Sequence, residues 1–203
     1  MLVIFFSTYI AFVPAELEAS STYTKISLEN GISLDLPANW VVINQSNETT
    51  LEAAIASKLI IPIGSSLPFA ANLYDEQKKT IALTNIRVYP NQTVTQRDIS
   101  GFSASDLKYY DEALEEQIRS SQSAMGGKIT HWLGTEVKAI NGGRVFVSSY
   151  RRVSLIRENT YFIATLFRVI DGQKSFTLTF SYDERHAFLL KMIQEHVVNS
   201  LSF

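Results

Sequence analysis

Four consecutive apolar runs joined by short turns constrain the fold of this chain more than any other feature. Each run is rich in the β-branched and aromatic residues that favour strands. The runs cover residues 129–140, 144–155, 161–170 and 175–182. Their connections are Asn141-Gly142-Gly143, Arg157-Glu158-Asn159 and Asp171-Gly172-Gln173, which carry the residues typical of tight turns. Strands joined by such short turns pair antiparallel. The second half of the chain therefore predicts a four-stranded antiparallel meander.

Two further hairpins and three helices complete the predicted order. Strands 23–28 and 32–36 flank an Asn-Gly turn, and strands 69–74 and 80–89 flank a charged DEQKK turn. Apolar residues at spacings of three and four predict helices over 47–59, 103–125 and 184–201. The resulting order is ββ-α-ββ-α-ββββ-α, without a linker or repeat. We expect one α+β domain over residues 20–203, with a single antiparallel β-sheet flanked by helices.

The amino-terminal stretch MLVIFFSTYIAFVPAELEA has the pattern of an export signal. Its apolar core is followed by Pro14 and then by the small residues Ala15, Ala19 and Ser20. A short apolar core ending in small residues is typical of a secretory signal peptide. A membrane-spanning helix needs about 20 apolar residues, more than this core offers. We therefore predict a signal peptide over 1–19 and a periplasmic or secreted location, with no transmembrane segment after its removal.

Composition discounts several classes of function. Loss of residues 1–19 would remove two acidic residues and leave 18 acidic residues against 18 lysines and arginines. A neutral chain lacks the basic footprint of a nucleic-acid-binding protein, so we expect no nucleic-acid partner. The absence of cysteine excludes disulfides, thiol chemistry and thiolate metal sites. Export without cysteine favours the bacterial periplasm or extracellular space over a eukaryotic secretory route.

Three stretches of the chain carry a resemblance to a known family. They are GISLDLPANW over residues 31–40, GGRVFVSSYRR over 142–152, and SFTLTFSYDERHAFLLKMIQEHVVNSL, which begins at Ser175. Together they resemble the PsbP-like superfamily, which includes the photosystem protein PsbP, the Ran-binding Mog proteins and bacterial envelope proteins of the DcrB type. The resemblance implies an α/β/α sandwich and non-enzymatic binding or assembly work. It carries no catalytic motif and no cofactor onto this chain.

The run Tyr150-Arg151-Arg152 is the candidate binding site. On a strand, Tyr150 and Arg152 share one face of the sheet and Arg151 takes the other. Arginine suits the recognition of carboxylates and phosphates, and aromatic residues favour interfaces. Arg144, Arg157 and Arg168 on adjacent strands could extend the patch. The alternative is a structural role, in which these arginines pair with acids of the long helix such as Glu115 or Glu116.

Other residue patterns point away from catalysis and metal binding. His186 and His196 lie ten residues apart on the last predicted helix, about 80° apart around its axis and three turns apart along it, so they cannot share a metal. His131 belongs to a strand. The sequence GFSAS at 101–105 only half matches a nucleophile elbow, and its serines are better interpreted as helix caps. DEALEE at 111–116 is interpreted as a solvated helix face. We expect no catalytic residue, no metal and no cofactor.

These observations favour an exported, non-enzymatic accessory or binding protein of the bacterial cell envelope. It would act through contacts with another envelope protein or with a small ligand. The alternative is a small periplasmic enzyme of the hydrolase type, which would show a serine, a histidine and an aspartate within hydrogen-bonding reach beside a pocket. A third possibility, a structural subunit or secretion chaperone, predicts a large exposed apolar patch.

Overall fold

The computed structural model describes residues 22–28, 31–43, 66–89, 92–124, 126–154, 157 and 159–203. The strands are β1 (Tyr23–Ser27), β2 (Ser33–Pro37), β3 (Val41–Val42), β4 (Ser66–Tyr74), β5 (Thr80–Tyr89), β6 (Ile129–Ile140), β7 (Gly143–Val153), β8 (Tyr161–Val169) and β9 (Ser175–Asp183). The helices are α1 (Gln96–Ser100), α2 (Ala104–Ala124) and α3 (Ala187–Ser200), with single 3-10 turns at Gly172–Lys174 and Glu184–His186. The predicted signal peptide 1–19 and the predicted helix 47–59 lie outside the described residues.

The predicted four-stranded meander forms one side of a large antiparallel sheet. The strand order of the seven-stranded sheet is β3-β4-β5-β9-β8-β7-β6. Every pair of neighbouring strands is antiparallel, and β9 lies between β5 and β8. The hairpin β4–β5 therefore pairs with β9, the last strand of the meander, rather than with β6, the first. This strand order brings the connections that follow β4, β7 and β9 to the same end of the sheet.

The prediction of a single sheet was wrong. Strands β1 and β2 pair only with each other in a separate two-stranded sheet. The hairpin lies beside α3, where the backbone N–H of Asp35 donates to Ser200 Oγ at 2.8 Å. Leu34 and Leu36 of β2 are buried in the same core as Leu178 and Phe180 of β9. An alternating strand pattern predicts which side chains face a core, and leaves open whether the strand extends a sheet or covers it.

The predicted order of elements was also incomplete. Val41 and Val42 form the short edge strand β3, and α1 precedes the long helix. Both elements are too short to display a periodicity. The one local signal for α1 is its capping box, in which the Thr95 side chain accepts from the Asp98 N–H and Asp98 accepts from the Thr95 N–H. The remaining strands and the helices α2 and α3 lie close to their predicted positions.

Two apolar clusters lie on opposite faces of the large sheet. Along β9, Phe176, Leu178 and Phe180 belong to the main core, which α3 and β2 cover. On the other face of the sheet, Leu114 and Ile118 of α2 pack on Tyr150, Ala164 and Leu166. This is the α/β/α layering expected for the domain, with the small β1–β2 sheet added to one outer layer.

The long helix begins and ends as its sequence predicts. The N–H of Ser103 donates to Asp106 Oδ2 at 2.8 Å, and the N–H of Asp106 donates back to Ser103 Oγ at 3.2 Å. The Ser103 hydroxyl also donates to Asp106 Oδ2 at 2.7 Å, and this bond, together with that from the Ser103 N–H, lowers the pKa of Asp106 below its ordinary value. At the other end Gly126 has a φ of +76°, and the N–H of Gly127 donates to the carbonyl of Gln122. Ser103 is thus a helix cap, as interpreted from the sequence.

Candidate functional site

The predicted binding run Tyr150-Arg151-Arg152 is divided between the two faces of the sheet. Tyr150 and Arg152 are buried, with 4% and 7% of their surface exposed. Arg151 lies on the opposite face of β7 with 30% of its side chain exposed. The alternation expected from the sequence is confirmed, and its consequence is that only Arg151 reaches the surface. A binding role for these three residues stays a prediction.

Tyr150 and Arg152 line a polar cavity on the face that α2 partly covers. The cavity has a volume of about 40 Å³, enough for a few ordered waters. Asn85, Arg87 and Ser181 also line it, and the buried Ser181 hydroxyl has no hydrogen-bond partner among the described residues. Burial raises the pKa of the Tyr150 phenol, an effect that the charge of Arg152 opposes. These side chains are part of the interior rather than of a contact surface.

Arg151 forms a bidentate ion pair at the surface. Its Nε and Nη2 donate to the carboxylate of Glu184 at 2.8–3.2 Å, and its guanidinium lies 3.6 Å from the centre of the Tyr161 ring. The expected helix partners are not used, because α2 packs on the opposite face of the sheet from Arg151, and Glu115 pairs with Arg119 on its own helix at 2.7 Å. Arg151 is therefore held against the turn that follows β9, which borders the groove described below.

The neighbouring arginines do not all join the predicted patch. Arg157 and Arg152 both lie over the Phe162 ring, at 5.7 and 5.0 Å from its centre. Arg168 pairs with the Tyr110 hydroxyl at 3.2 Å. Arg144 is the second residue of β7 and Arg168 pairs with Phe146, so both lie toward the opposite end of the sheet from Arg152. The register of the strands therefore separates these arginines into two groups.

We expect the two adjacent arginines of β7 to differ in their effect on stability. Arg152→Ala should lower the free energy of unfolding by about 1–2 kcal/mol, because it removes a buried guanidinium packed on Phe162. Arg151→Ala should leave the melting temperature nearly unchanged, because exposed ion pairs contribute little. Urea denaturation of both variants measures the difference. Equal losses in the two variants would contradict this assignment.

A larger groove lies at the end of the sheet where three connections meet. Its volume is about 560 Å³, within the range of sites that hold ligands or peptide segments. The lining residues are Asp75, Gln77, Lys79, Arg157, Thr160, Arg185 and His186. These residues come from the β4–β5 turn, the β7–β8 loop and the turn before α3. We call the groove that they line the sheet-end groove. Its chemistry is polar and contains more cationic than acidic side chains.

A buried carboxylate holds the two arginines of the groove in place. Asp183 is fully buried, and it accepts hydrogen bonds from the backbone N–H and the Nε of Arg185, both at 3.0 Å. Arg157 Nη1 lies 3.6 Å from the same carboxylate, and its Nη2 donates to the carbonyl of Thr80. Burial alone would raise the pKa of Asp183, but the hydrogen bonds and charge of Arg185 outweigh it and hold that pKa below the ordinary value. The guanidinium groups are therefore pre-positioned.

The turn between β4 and β5 presents a lysine to the groove. Asp75 Oδ1 accepts hydrogen bonds from the N–H groups of Gln77 and Lys79 at 2.9 and 2.8 Å, which fixes the turn. The Lys79 ammonium donates to the side-chain oxygen of Gln77 at 2.6 Å. Its neighbour Lys78 is also exposed but does not line the groove. The two adjacent lysines thus differ in position while sharing charge and exposure.

Two apolar side chains are exposed on α3, the helix that begins immediately after the groove residue His186 in the sequence. Phe188 is 88% exposed and Met192 is 55% exposed. Their spacing of four residues places them on one line of the helix, while Leu190, Ile193 and Val197 are buried. We call Phe188 and Met192 the apolar pair. A helix that is well anchored by its buried face therefore carries a solvent-facing aromatic side chain two residues after His186.

The histidines and acidic residues do not assemble a metal site in the part of the chain that the structure describes. His131 is exposed on β6 opposite Arg151, His186 lines the sheet-end groove, and His196 stacks on the Tyr23 ring at 3.7 Å. No group of three or more histidine, cysteine, aspartate or glutamate side chains there could hold a metal ion. No described helix is both long enough and apolar enough to cross a membrane.

Sequence reasoning did not find the sheet-end groove. Its residues come from three separate parts of the chain, and only the position of β9 between β5 and β8 brings them together. The signals that were visible are the charged turn before Thr80 and the Asp183-Glu184-Arg185-His186 run at the end of a strand. Each of these alone is typical of an ordinary solvated turn.

The fold is distantly related to that of PsbP. The solution structure of cyanobacterial PsbP (CyanoP) from Synechocystis sp. PCC 6803 has 13% sequence identity and a TM-score of 0.54, over 91% of this chain and 92% of that one. The protein Mog1, solved as a mutant, has 8% identity and a TM-score of 0.49, over 89% of this chain and 95% of that one. LpqN from Mycobacterium tuberculosis, which is involved in cell envelope biogenesis, has 8% identity and a TM-score of 0.43, over 89% and 90% of the two chains.

The similarity to cyanobacterial PsbP confirms the PsbP-like α+β fold expected from the sequence. At 13% identity the similarity to cyanobacterial PsbP concerns the fold alone. No family model and no curated protein matches the chain. Function must therefore be argued from the residues of this chain.

Proposed function

We propose that this chain is a non-enzymatic accessory protein of the bacterial cell envelope that works by binding another protein. The apolar pair next to the sheet-end groove is the observation that carries the proposal. The signal-like sequence of residues 1–19 supports export, and the cysteine-free composition fits a bacterial envelope.

Phe188 is an exposed aromatic residue three positions after Arg185, and aromatic and arginine residues are the types typical of an interface centre. Aromatic and arginine side chains dominate the energetics of protein interfaces, whereas most of the surrounding contacts contribute little. Phe188 is exposed on a helix whose opposite side is anchored in the main core, so its presentation requires no rearrangement of the fold. A rigid, pre-formed contact loses little conformational entropy on binding. This arrangement supports protein contact as the mode of action.

Site-specific photo-crosslinking in intact cells tests the proposal. A benzophenone amino acid at position 188 should capture one specific protein, and the adduct should be found in the periplasmic or membrane fraction. The matched control is position 109, since Tyr109 is an aromatic residue that is 77% exposed on α2, on the other side of the sheet. We expect the control position to capture this protein weakly or not at all.

The competing outcomes are distinguishable. Phe188→Ala should weaken binding of the captured protein by about tenfold or more without changing the melting temperature, because Phe188 contributes little to the core. The proposal is wrong if positions 188 and 109 give the same adducts, if position 188 gives none, or if the protein remains in the cytoplasm.

A further inference from the structure

We propose that the sheet-end groove receives an acidic segment of the partner protein, with the apolar pair contacting an apolar side chain of the same partner. This inference rests on the proposed function and adds the chemistry of the partner. It follows from three properties of the groove. These are its local charge, the fixed position of its guanidinium groups, and the position of Phe188 two residues after the lining residue His186.

The groove is positive although the whole chain is not. Lys79, Arg157 and Arg185 line it against the single lining carboxylate Asp75, with the buried Asp183 beneath. With both carboxylates counted, the three cations and two acids give this group a formal charge of +1, whereas the full chain carries −2. Complementary charge steers a partner toward such a patch and sets its orientation. The fitting partner surface is therefore acidic.

The guanidinium of Arg185 retains donors for a second carboxylate. Asp183 engages the Nε and one terminal nitrogen of Arg185, while 63% of the arginine side chain is exposed. Arginine has five N–H donors in a planar fork, so this pairing leaves donors directed away from Asp183. Because Asp183 already restrains the side chain, a carboxylate from a partner would meet a pre-oriented cation.

Lys79 offers a second contact from the β4–β5 turn. Its ammonium group is exposed, and the hydrogen bond that the structure shows is to the neutral side-chain oxygen of Gln77. An aspartate or glutamate of a partner is a stronger acceptor than that amide, because charge-assisted hydrogen bonds exceed neutral ones. A segment with carboxylates spaced along it could contact Lys79 and Arg185 together.

The position of the apolar pair favours a protein segment over a small anion. Phe188 follows His186, which lines the groove, by two residues. A small anion would leave Phe188 and Met192 uncovered, whereas a peptide lying in the groove and along the start of α3 would cover both. Interfaces commonly combine such a central apolar contact with a charged rim.

Zero-length carbodiimide coupling tests the inference directly. This reagent joins an amine to a carboxylate only where the two are in contact. Applied to the protein with the partner captured through position 188, it should form an amide between Lys79 Nζ and an aspartate or glutamate of that partner, located by mass spectrometry. Lys79→Arg should abolish the amide at this position, because a guanidinium stays protonated and does not couple to the activated carboxylate.

Charge reversal at adjacent lysines gives the matched affinity measurement. Lys79→Glu should weaken partner binding by about tenfold at low salt, and the loss should shrink as salt is raised. Lys78→Glu changes the net charge equally on the same turn but outside the groove, so it should change affinity less than about twofold. Both substitutions are at exposed positions, and circular dichroism checks that both variants fold.

Each remaining outcome overturns a defined part of the argument. Capture at position 188 with equal affinities for the two charge reversals would retain the protein-binding function and reject the acidic segment. An amide to a second copy of this chain would make the groove a self-association site and would also reject it. Vesicles of phosphatidylglycerol that bind the wild type but not Lys79→Glu, without any amide to a protein, would assign the groove to lipid headgroups instead. Failure of capture at position 188 rejects the proposed function itself.

Discussion

Trp40→Ala is expected to lower the free energy of unfolding by about 3–5 kcal/mol. Trp40 is 5% exposed and lies in the main core, with its ring 5.3 Å from that of Phe180. Trp40 directly follows the turn after β2, and its backbone N–H donates to the carbonyl of Pro37. Removing the indole would leave a cavity between this turn, α3 and β9. Urea denaturation followed by circular dichroism measures the loss without depending on Trp40 fluorescence.

A conservative substitution separates packing from polarity at this position. The indole N–H of Trp40 is buried and has no hydrogen-bond partner among the described residues. Trp40→Phe keeps an aromatic ring and removes that N–H, so its cost should remain below about 1.5 kcal/mol. A loss of less than about 1 kcal/mol for Trp40→Ala would place the side chain at the surface and contradict the packing described.

Asp183→Asn is expected to cost about 2–4 kcal/mol near neutral pH. The substitution removes the buried charge that Arg185 and Arg157 surround. The cost should fall below that of a completely buried pair, because 63% of the Arg185 side chain is exposed and can be solvated. Glu184→Gln is the adjacent control, and it should leave the melting temperature nearly unchanged because Glu184 is at the surface.

The same carboxylate makes stability depend on pH in a defined direction. The pKa of Asp183 is lower in the folded protein than the ordinary aspartate value of about 3.9, so its ionised form stabilises the folded state. That contribution is complete above the ordinary pKa and is lost as pH falls through the lower folded pKa. The difference in stability between wild type and Asp183→Asn should therefore shrink at acidic pH. A difference that is constant with pH would show that packing, not charge, explains the loss.

The elements of the fold were largely predictable, because strands and helices of ordinary length carry their own periodicity. The meander from β6 to β9 and the hairpin β4–β5 follow from alternating apolar residues and turn chemistry. The capped start of α2 follows from Ser103 and Asp106. The elements that were missed, β3 and α1, have two and five residues, too few for a repeat to appear.

The candidate site was only partly predictable. Periodicity correctly assigned Arg151 and Arg152 to opposite faces of β7, but the exposure of each face depends on the helices and strands packed over it. The partner of Arg151 proved to be Glu184, which is distant in sequence, rather than an acid of α2. Side-chain partners between distant segments depend on strand order, which local patterns do not encode.

What the sequence determined by itself is the class of the protein: an α+β domain with a four-stranded antiparallel meander and no thiol chemistry. These properties depend on residue types and on spacings within about twenty residues. What only the tertiary structure decided is where β1 and β2 lie and which surface can bind. The insertion of β9 between β5 and β8 places Lys79, Arg157 and Arg185 around one groove, although they are far apart along the chain. Non-local strand pairing is a collective result of core packing, and for that reason the sheet-end groove has no signature in the sequence.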